Sequence, residues 1–474
     1  MVSRNQRRAS ELLKEGDAAC ATQDLASAEK AFAKSLELVP NNAGGLTGMA
    51  RMAWERRHDD EGARAYYDAA VAACPESLEA RLNRGSFLAT VGDETAVSDA
   101  NYVLSKQSNN INAYKLLHRV GKIRHGDLNF QELLRLSQSG SLSDDDRARV
   151  HFIIASIYEK NNKFKDAFTH YRIANDFKSK DIDFRAAKFY STFVNRAIKY
   201  ALPLPQIPVI EDAPRMIFIV GMPRSGSTLL EQLLTTREGV GSVGEASFFR
   251  RHWRATINAC FGDTISSSSD PSKLAAYLTR ERLLALRDSY MRDVKATVPA
   301  KNHAVIVDKQ LDNYDVLPII STLFPNSRIL HTYRHPLDTC VSCYGQDFSS
   351  VRYAARLSTI GYTYRFYHEV VKDWKDLEIP QLLDVNYEAL VQNPTTQVKK
   401  VMDFCDLWFD DTALDPRASE NVVRTASYAQ VKRAIYQSSI GRWRHYAAEL
   451  EPLVYALGGW EWVNAHTPAD HGAH

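Results

Sequence analysis

The sequence predicts an all-α N-terminal domain followed by an α/β domain with a central parallel sheet. Residues 1–200 read almost wholly as helix and contain an internal repeat. Residues 201–216 hold four prolines, which do not continue a helix, so we predict a proline-rich linker there. Over residues 217–474, short apolar runs alternate with long helical stretches, a pattern typical of parallel strands joined by helical crossovers.

The composition is that of a soluble globular protein with two or three domains. The chain has 474 residues, of which 45% are hydrophobic and 24% charged. Its 59 Lys and Arg residues nearly balance its 57 Asp and Glu residues, which argues against a nucleic-acid binder that relies on overall basicity. Any anion site must therefore be local.

The six cysteines do not form the pattern of a disulfide framework or a zinc site. Cys340 and Cys343 have C-x-x-C spacing, but no second such pair and no nearby paired histidines complete a metal site. We interpret them as reduced cysteines on one helix face and predict no metal. The N-terminus has no apolar leader, and no stretch of about 18 apolar residues occurs. We therefore expect a cytoplasmic protein without a membrane span.

The helical region repeats with a period of about 35 residues. In the first unit a small residue, an aromatic residue and a proline follow one another at Ala28, Phe32 and Pro40. The same residue types recur at Ala63, Tyr67 and Pro75. A unit around Gly85 is degenerate, and a later unit is marked by Ala155, Tyr158, Ala167, Tyr171 and Ala174.

This pattern resembles tetratricopeptide-repeat (TPR) proteins over about residues 9–175. Small residues such as Gly16 let paired helices approach, aromatic residues fill the gap, and stacked units bury a shared core. The resemblance implies a concave groove for a peptide or protein partner. A generic helical bundle with accidental alanines is the alternative.

The second domain begins with a strand that runs into a loop suited to an anion. Gly221–Thr228 reads G-M-P-R-S-G-S-T, and a helix begins at Leu229. Such a strand, loop and helix N-terminus point backbone N–H groups at an anion. Ser227 stands where a nucleoside-triphosphate loop has lysine, so we expect Arg224 to supply the cation. The predicted strands of this domain are Ile217–Val220, Val305–Val307, Arg328–Leu330 and Leu382–Val385.

The run P-R-S-G-S-T-L-L-E-Q resembles the 5′-phosphosulfate loop of sulfotransferases that use 3′-phosphoadenosine 5′-phosphosulfate (PAPS). The fuller match is to bacterial TPR sulfotransferases, which are similar in turn to tyrosylprotein sulfotransferases. The resemblance implies a phosphate-loop-like sulfotransferase domain, PAPS as donor, 3′-phosphoadenosine 5′-phosphate (PAP) as product, and no metal. It assigns cofactor-binding roles to Pro223, Arg224, Ser225, Gly226, Ser227 and Thr228.

Three later segments occur in the order of that family. Arg334, at the end of a strand, and Ser342, on the next helix, resemble the pair that clasps the 3′-phosphate. Tyr387, in D-V-N-Y-E-A-L-V, matches a residue that lies against the adenine, and a core tyrosine is the alternative interpretation. Gly441 and Arg442, in Q-S-S-I-G-R-W, match the stretch that closes over the 3′-phosphate.

The resemblance also assigns the catalytic roles. Glu245, in G-S-V-G-E-A-S, matches the general base, although tyrosylprotein sulfotransferases have two consecutive glutamates and this chain has Ala246 at the second. Lys309 matches the lysine that reaches the oxygen bridging phosphate and sulfate, and Arg224 is the third member of the catalytic set. Ser427 matches a serine near the sulfuryl group.

These features predict a PAPS-dependent sulfotransferase that acts by in-line transfer to a hydroxyl of a protein, peptide, saccharide or small molecule. One alternative is a phosphate-loop kinase or NTPase, against which the missing loop lysine argues. The other is a non-catalytic TPR scaffold with a degenerate nucleotide fold. The sequence leaves open the acceptor, the oligomeric state and the role of the C-terminal tail.

Overall fold

The computed structural model describes residues 3–21, 24–55, 59–179, 184–298, 303–348, 351–419 and 435–467. The chain divides into two compact units, Met1–Ile157 and Tyr158–His474. The proline-rich segment 201–216 lies within the second unit. The domain boundaries expected from the sequence, at residues 200 and 216, stay a prediction.

The described chain is helical from residue 4 to residue 201, as the sequence predicts. Local capping explains several helix starts, since Asp24, Asp59 and Ser77 each accept a hydrogen bond from a backbone N–H of the first turn. The helices are α1 (Arg4–Ala21), α2 (Leu25–Leu38), α3 (Ala43–Glu55), α4 (Asp60–Ala73), α5 (Leu78–Val91), α6 (Ala96–Lys106), α7 (Ile111–Arg119), α8 (Leu128–Ser137), α9 (Asp144–Lys160), α10 (Phe164–Lys178) and α11 (Phe184–Ala201).

Consecutive helices of the first unit pack in pairs, α1 with α2, α3 with α4, and α5 with α6. Phe32 on α2 is buried between two glycines. A Cβ atom at Gly16 on α1 would lie 2.5 Å from the Phe32 ring, and one at Gly48 on α3 would also overlap that ring. The aromatic side chain therefore fills a gap that only glycine leaves open.

A five-stranded parallel sheet forms from the described residues of the second unit, in the order β2-β3-β1-β4-β5. The strands are β1 (Arg215–Gly221), β2 (Val240–Gly244), β3 (Val305–Asp308), β4 (Arg328–Tyr333) and β5 (Leu382–Asn386). The parallel sheet and the four predicted strands are confirmed. Strand β2 was not predicted, because its sequence, V-G-S-V-G, contains no continuous apolar run.

Both faces of the sheet are covered, as a parallel sheet requires. Along β1, Met216 and Phe218 belong to one hydrophobic core with Trp374, whereas Ile217 and Ile219 belong to the core on the other face. The α-helices of this region are α12 (Ser227–Leu234), α13 (Phe248–Phe261), α14 (Lys273–Tyr277), α15 (Arg280–Thr297), α16 (Leu317–Leu323), α17 (Pro336–Tyr344), α18 (Leu357–Lys375), α19 (Tyr387–Gln392), α20 (Pro394–Phe404), α21 (Glu451–Leu457) and α22 (Gly459–Ala465).

Short 3-10 helices complete the described fold. They are Leu311–Val316, Arg352–Ala355, Asp411–Leu414, Pro416–Ala418 and Arg442–Glu449. Across the described ranges, no helix combines the length and the apolar character needed to cross a membrane. Because all five strands run parallel, their carboxyl ends lie along one edge of the sheet, where the loops that follow β1, β3, β4 and β5 meet.

Candidate active site

The loop between β1 and α12 is shaped by Gly226. This residue has a φ of +96°, and a Cβ atom there would lie 2.5 Å from the ring of Tyr387. Both facts require glycine, because other residues rarely adopt this conformation and would meet the ring. Ser225 is fixed to the neighbouring strand, since its Oγ lies 2.7 Å from Thr332 Oγ1 on β4.

Arg224 also has a left-handed backbone conformation, with a φ of +70°. Such a conformation is uncommon for arginine and often marks a functional constraint. Its Nε donates a hydrogen bond to Ser342 Oγ at 3.0 Å. Burial lowers the pKa of Arg224, and the nearby positive charges of Arg334 and Arg442 act in the same direction. The site therefore favours an added negative charge.

Arg334 follows the end of β4 and is directed at the same loop. Its guanidinium lies 3.4 Å from the Arg224 carbonyl oxygen and 4.8 Å from the centroid of the Tyr387 ring. It also donates to the Ser439 carbonyl oxygen of the C-terminal segment. Its Nε is a buried donor that has no hydrogen-bond partner in the described structure, although Glu388 Oε1 lies 4.0 Å away. A buried donor of this kind suits a bound anion.

The segment 437–443, called the C-terminal loop below, is held to the start of α17 by Asp338. This carboxylate is 2% exposed and accepts hydrogen bonds from the backbone N–H of Gly441 at 2.6 Å and of Trp443 at 2.9 Å. Arg334 NH2 lies 3.6 Å from the same carboxylate. Four sequence segments that are far apart in the chain therefore meet around Arg334. The sequence offered no motif that singles out Asp338.

Arg442 is engaged by a carboxylate from the end of α9. Its Nε donates to Glu159 Oε1 at 2.6 Å, and its NH2 donates to the other carboxylate oxygen. The hydroxyls of Tyr446 and Tyr171 donate to the same carboxylate at 2.5 Å and 2.9 Å. Glu159 raises the pKa of Arg442 despite burial. The guanidinium that the sequence assigns to a phosphate is thus also part of a structural ion pair.

Lys309 follows β3 and lies between two glutamates. Its Nζ donates to Glu245 Oε1 at 2.7 Å and lies 3.7 Å from Glu231 Oε2. Burial alone would lower the pKa of this ammonium, but the two carboxylates outweigh burial and raise the pKa. The structure therefore places the predicted lysine and the predicted base in direct contact, and it adds Glu231, which no sequence motif indicated.

Two histidines near the site take part in separate hydrogen-bond networks. His331 Nδ1 lies 2.8 Å from Asp384 Oδ1, and its Nε2 contacts the Tyr367 hydroxyl. Burial lowers the pKa of His331. His335 caps α17 by accepting a hydrogen bond from the backbone N–H of Leu337 at 3.1 Å. The choice of Glu245 over these histidines as the base stays a prediction.

The remaining predicted residues lie as follows. Ser227 and Thr228 are buried in the first turn of α12, and the Pro223 carbonyl accepts a hydrogen bond from Cys343 Sγ at 3.4 Å. Tyr387 packs on Gly226 and faces Arg334, so its expected contact with adenine stays a prediction. Ser427 lies outside the described residues.

Cys340 and Cys343 are free thiols buried in α17. Within the parts of the chain that are described, no group of three or more His, Cys, Asp or Glu side chains is arranged to hold a metal ion. The expectation of a metal-free site stays a prediction.

Part of the second unit is similar to known proteins. Residues 214–411 match the profile of the sulfotransferase family. An uncharacterized protein of Aquifex aeolicus (strain VF5) is 29% identical over 346 residues, which cover 70% of this chain. This chain spans 44% of the length of that relative.

Two solved structures are also similar. The sulfotransferase domain of the Synechococcus PCC 7002 olefin synthase is 19% identical, covering 51% of this chain and 91% of that domain, with a TM-score of 0.34. A sulfotransferase from Mycobacterium tuberculosis H37Rv is 14% identical, covering 69% of this chain and 97% of its own, with a TM-score of 0.29. The stretch that is similar to the sulfotransferase family, residues 214–411, includes the phosphate loop, Glu245, Lys309, Arg334 and Tyr387.

Proposed function

We propose that this protein transfers the sulfuryl group of PAPS to a hydroxyl group of an acceptor. The observation that carries the proposal is the convergence of Arg224, Ser342 and Arg334 with the C-terminal loop. Arg224 Nε contacts Ser342 at 3.0 Å, while Arg334 contacts both the Arg224 carbonyl and the Ser439 carbonyl. These residues come from the segments that the sequence assigns to the two phosphates of PAPS.

The electrostatics of this cluster support a nucleotide that carries two anionic groups. Burial lowers the pKa of Arg224, and the positive charges of Arg334 and Arg442 lower it further. The unpartnered Nε of Arg334 offers a further donor. Phosphate groups bound here would neutralise the positive charge of the cluster and accept hydrogen bonds from these donors. Arginine binds phosphate groups with fixed geometry.

The chemistry of sulfuryl transfer fits the lysine and glutamate beside α12. Positioning and charge neutralisation dominate such a reaction, as they do in phosphoryl transfer. The Glu245 side chain is 51% exposed, so it can meet an acceptor hydroxyl, whereas the Lys309 side chain is fully buried. We assign Glu245 as the base and Lys309 as the cation that stabilises charge on the leaving phosphate.

We also propose that the helical unit is TPR-like and presents the acceptor. The packing of its helices in pairs and the burial of Phe32 between Gly16 and Gly48 support this assignment. A cavity of about 570 Å³ in this unit is lined by leucines and by polar side chains that include Asn83, Asn112 and Lys115. Such a surface suits the backbone and side chains of a peptide or the hydroxyl groups of a saccharide.

Calorimetric titration with PAP tests the donor, with ATP and Mg²⁺ measured in parallel. We expect PAP to bind, Arg334→Ala to abolish binding, and Arg417→Ala to leave it unchanged, because the Arg417 side chain is 58% exposed and pairs with its neighbour Asp415. Binding of ATP without PAP would restore the kinase alternative. Binding of neither nucleotide would favour the non-catalytic scaffold.

A further inference from the structure

Lys309 lies between two carboxylates that differ in their exposure to solvent. The Glu245 side chain is 51% exposed and hydrogen-bonded to Nζ, whereas the Glu231 side chain is 4% exposed and 3.7 Å away. The ammonium itself is fully buried. One carboxylate can therefore meet an incoming substrate, while the other is confined beside the lysine.

The Glu231 side chain is held in place by a serine on β2. It lies on α12, one turn after Ser227, and its Oε1 accepts a hydrogen bond from Ser242 Oγ at 2.6 Å. Ser242 Oγ in turn accepts the backbone N–H of Gly244 at 2.9 Å. The position of Glu231 is thus tied to the same strand end that carries Glu245.

The other charged groups near Lys309 have partners of their own. Asp308 directs its carboxylate to the Tyr290 hydroxyl and to the backbone N–H of Gln310, each at 2.8 Å. Asp312 Oδ1 accepts a hydrogen bond from Gln310 Nε2 at 2.6 Å, and the charge of Asp312 helps to raise the pKa of Asp308. Among the described residues, Glu231 and Glu245 are therefore the carboxylates within 4 Å of the lysine ammonium.

We propose that Glu231 is a positioning residue that keeps Lys309 protonated while Glu245 acts as the base. This inference rests on the proposed sulfuryl transfer. Once Glu245 accepts a proton it loses its charge, and a buried ammonium without a counter-ion is strongly disfavoured. Glu231 retains its charge through the step, so the ammonium stays available for the leaving group.

The transfer forms one bond to sulfur and breaks one. The acceptor oxygen forms a bond to sulfur as the bond between sulfur and the bridging phosphate oxygen breaks. The acceptor proton moves to Glu245, and the electron pair of the broken bond remains on the 5′-phosphate oxygen. Lys309 stabilises that added negative charge without giving up its proton, and Glu231 balances Lys309.

Glu231→Gln tests this role, because the amide preserves the shape and still accepts the hydrogen bond from Ser242. The ionisation of Lys309 can be followed by NMR of protein labelled with ¹³C at the lysine ε-carbon, with the signal assigned from Lys309→Met. Glu238→Gln is the matched control, since it removes the same charge from an exposed position just beyond α12. PAP affinity and the rate of PAP formation from PAPS with 4-nitrophenol are measured on the same samples.

We expect Glu231→Gln to lower the pKa of Lys309, to slow transfer on the order of tenfold, and to move the alkaline limb of the pH profile to lower pH. PAP affinity stays within about twofold, and Glu238→Gln matches the parent. An unchanged Lys309 titration in Glu231→Gln would overturn the inference while PAP binding and turnover leave the proposed function standing. If the parent protein binds no PAP, the proposed function fails and this inference fails with it.

Discussion

Asp338 anchors the C-terminal loop through two backbone hydrogen bonds, and its replacement tests whether that loop contributes to the nucleotide site. Its two carboxylate oxygens accept the N–H groups of Gly441 and Trp443. In Asp338→Asn the side chain keeps one acceptor oxygen and turns an NH₂ group towards the other N–H. The variant therefore loses one charge-assisted hydrogen bond and leaves one partly buried donor unpaired.

The expected magnitude follows from these two losses. A hydrogen bond to a charged group contributes about 1.5 kcal/mol or more, and an unsatisfied buried donor costs about 1–3 kcal/mol. Because both hydrogen bonds are only partly buried, the lower ends of these ranges apply, and we expect the free energy of unfolding to fall by about 2–3 kcal/mol. If the loop becomes disordered in the free variant and must be ordered when PAP binds, the same free energy is lost from binding, and PAP affinity falls roughly 30- to 150-fold.

Calorimetry with PAP and urea unfolding, performed on the same preparations, measure both effects. Asp288→Asn is the control, because that side chain is 65% exposed. We expect the control to match the parent in both measurements. A PAP affinity within threefold of the parent in Asp338→Asn, with unchanged stability, would refute the reasoning that this loop is anchored by Asp338 and contributes to the site.

Three further predictions concern the loop, a buried acid and an ion pair. Gly226→Ala forces a left-handed conformation and a contact with Tyr387, so we expect loss of PAP binding and a decrease of about 1–3 kcal/mol in the free energy of unfolding, measured by calorimetry and urea titration; parent-like values for both would show that the loop adapts. Burial raises the pKa of Asp308 from 3.8 to about 7, so the folded state binds more protons between these values, and this group's contribution to stability is lost as pH rises from about 4 to 7. We expect the stability of Asp308→Asn relative to the parent to increase over that range in urea titrations, and a constant difference would contradict the assignment. For Glu159 and Arg442, a double-mutant cycle with Glu159→Gln and Arg442→Gln should give a coupling energy of about 2 kcal/mol in unfolding experiments, and additive effects would show that the pair is not coupled.

Much of the fold was predictable because it is encoded in local patterns. The run Ile217–Val220 is apolar and short, and the helix after Ser227 has leucines at helical spacing, so strand, loop and helix follow from a single segment. Strand β2 was missed because it relies on pairing with β3 for its definition, and its glycines carry no strand signal.

The candidate site was predictable to a lesser degree. Arg224, Arg334 and Ser342 could be named because each lies in a recognisable segment, and the structure brings them together. Glu159 could not be named, because it precedes Arg442 by 283 positions and only folding makes them neighbours. The same reason applies to Glu231, which reads in the sequence as one more helical residue.

The sequence by itself determined the order of secondary structure, the parallel sheet and the phosphate loop, because local side-chain periodicity dictates backbone conformation and burial. Only the tertiary structure decided which charges face one another. The order β2-β3-β1-β4-β5 places the ends of β3 and β4 on either side of β1, so that Lys309 meets Glu231 from α12 and Arg334 meets Arg224. Charge pairing depends on distance in space, and strand order sets that distance.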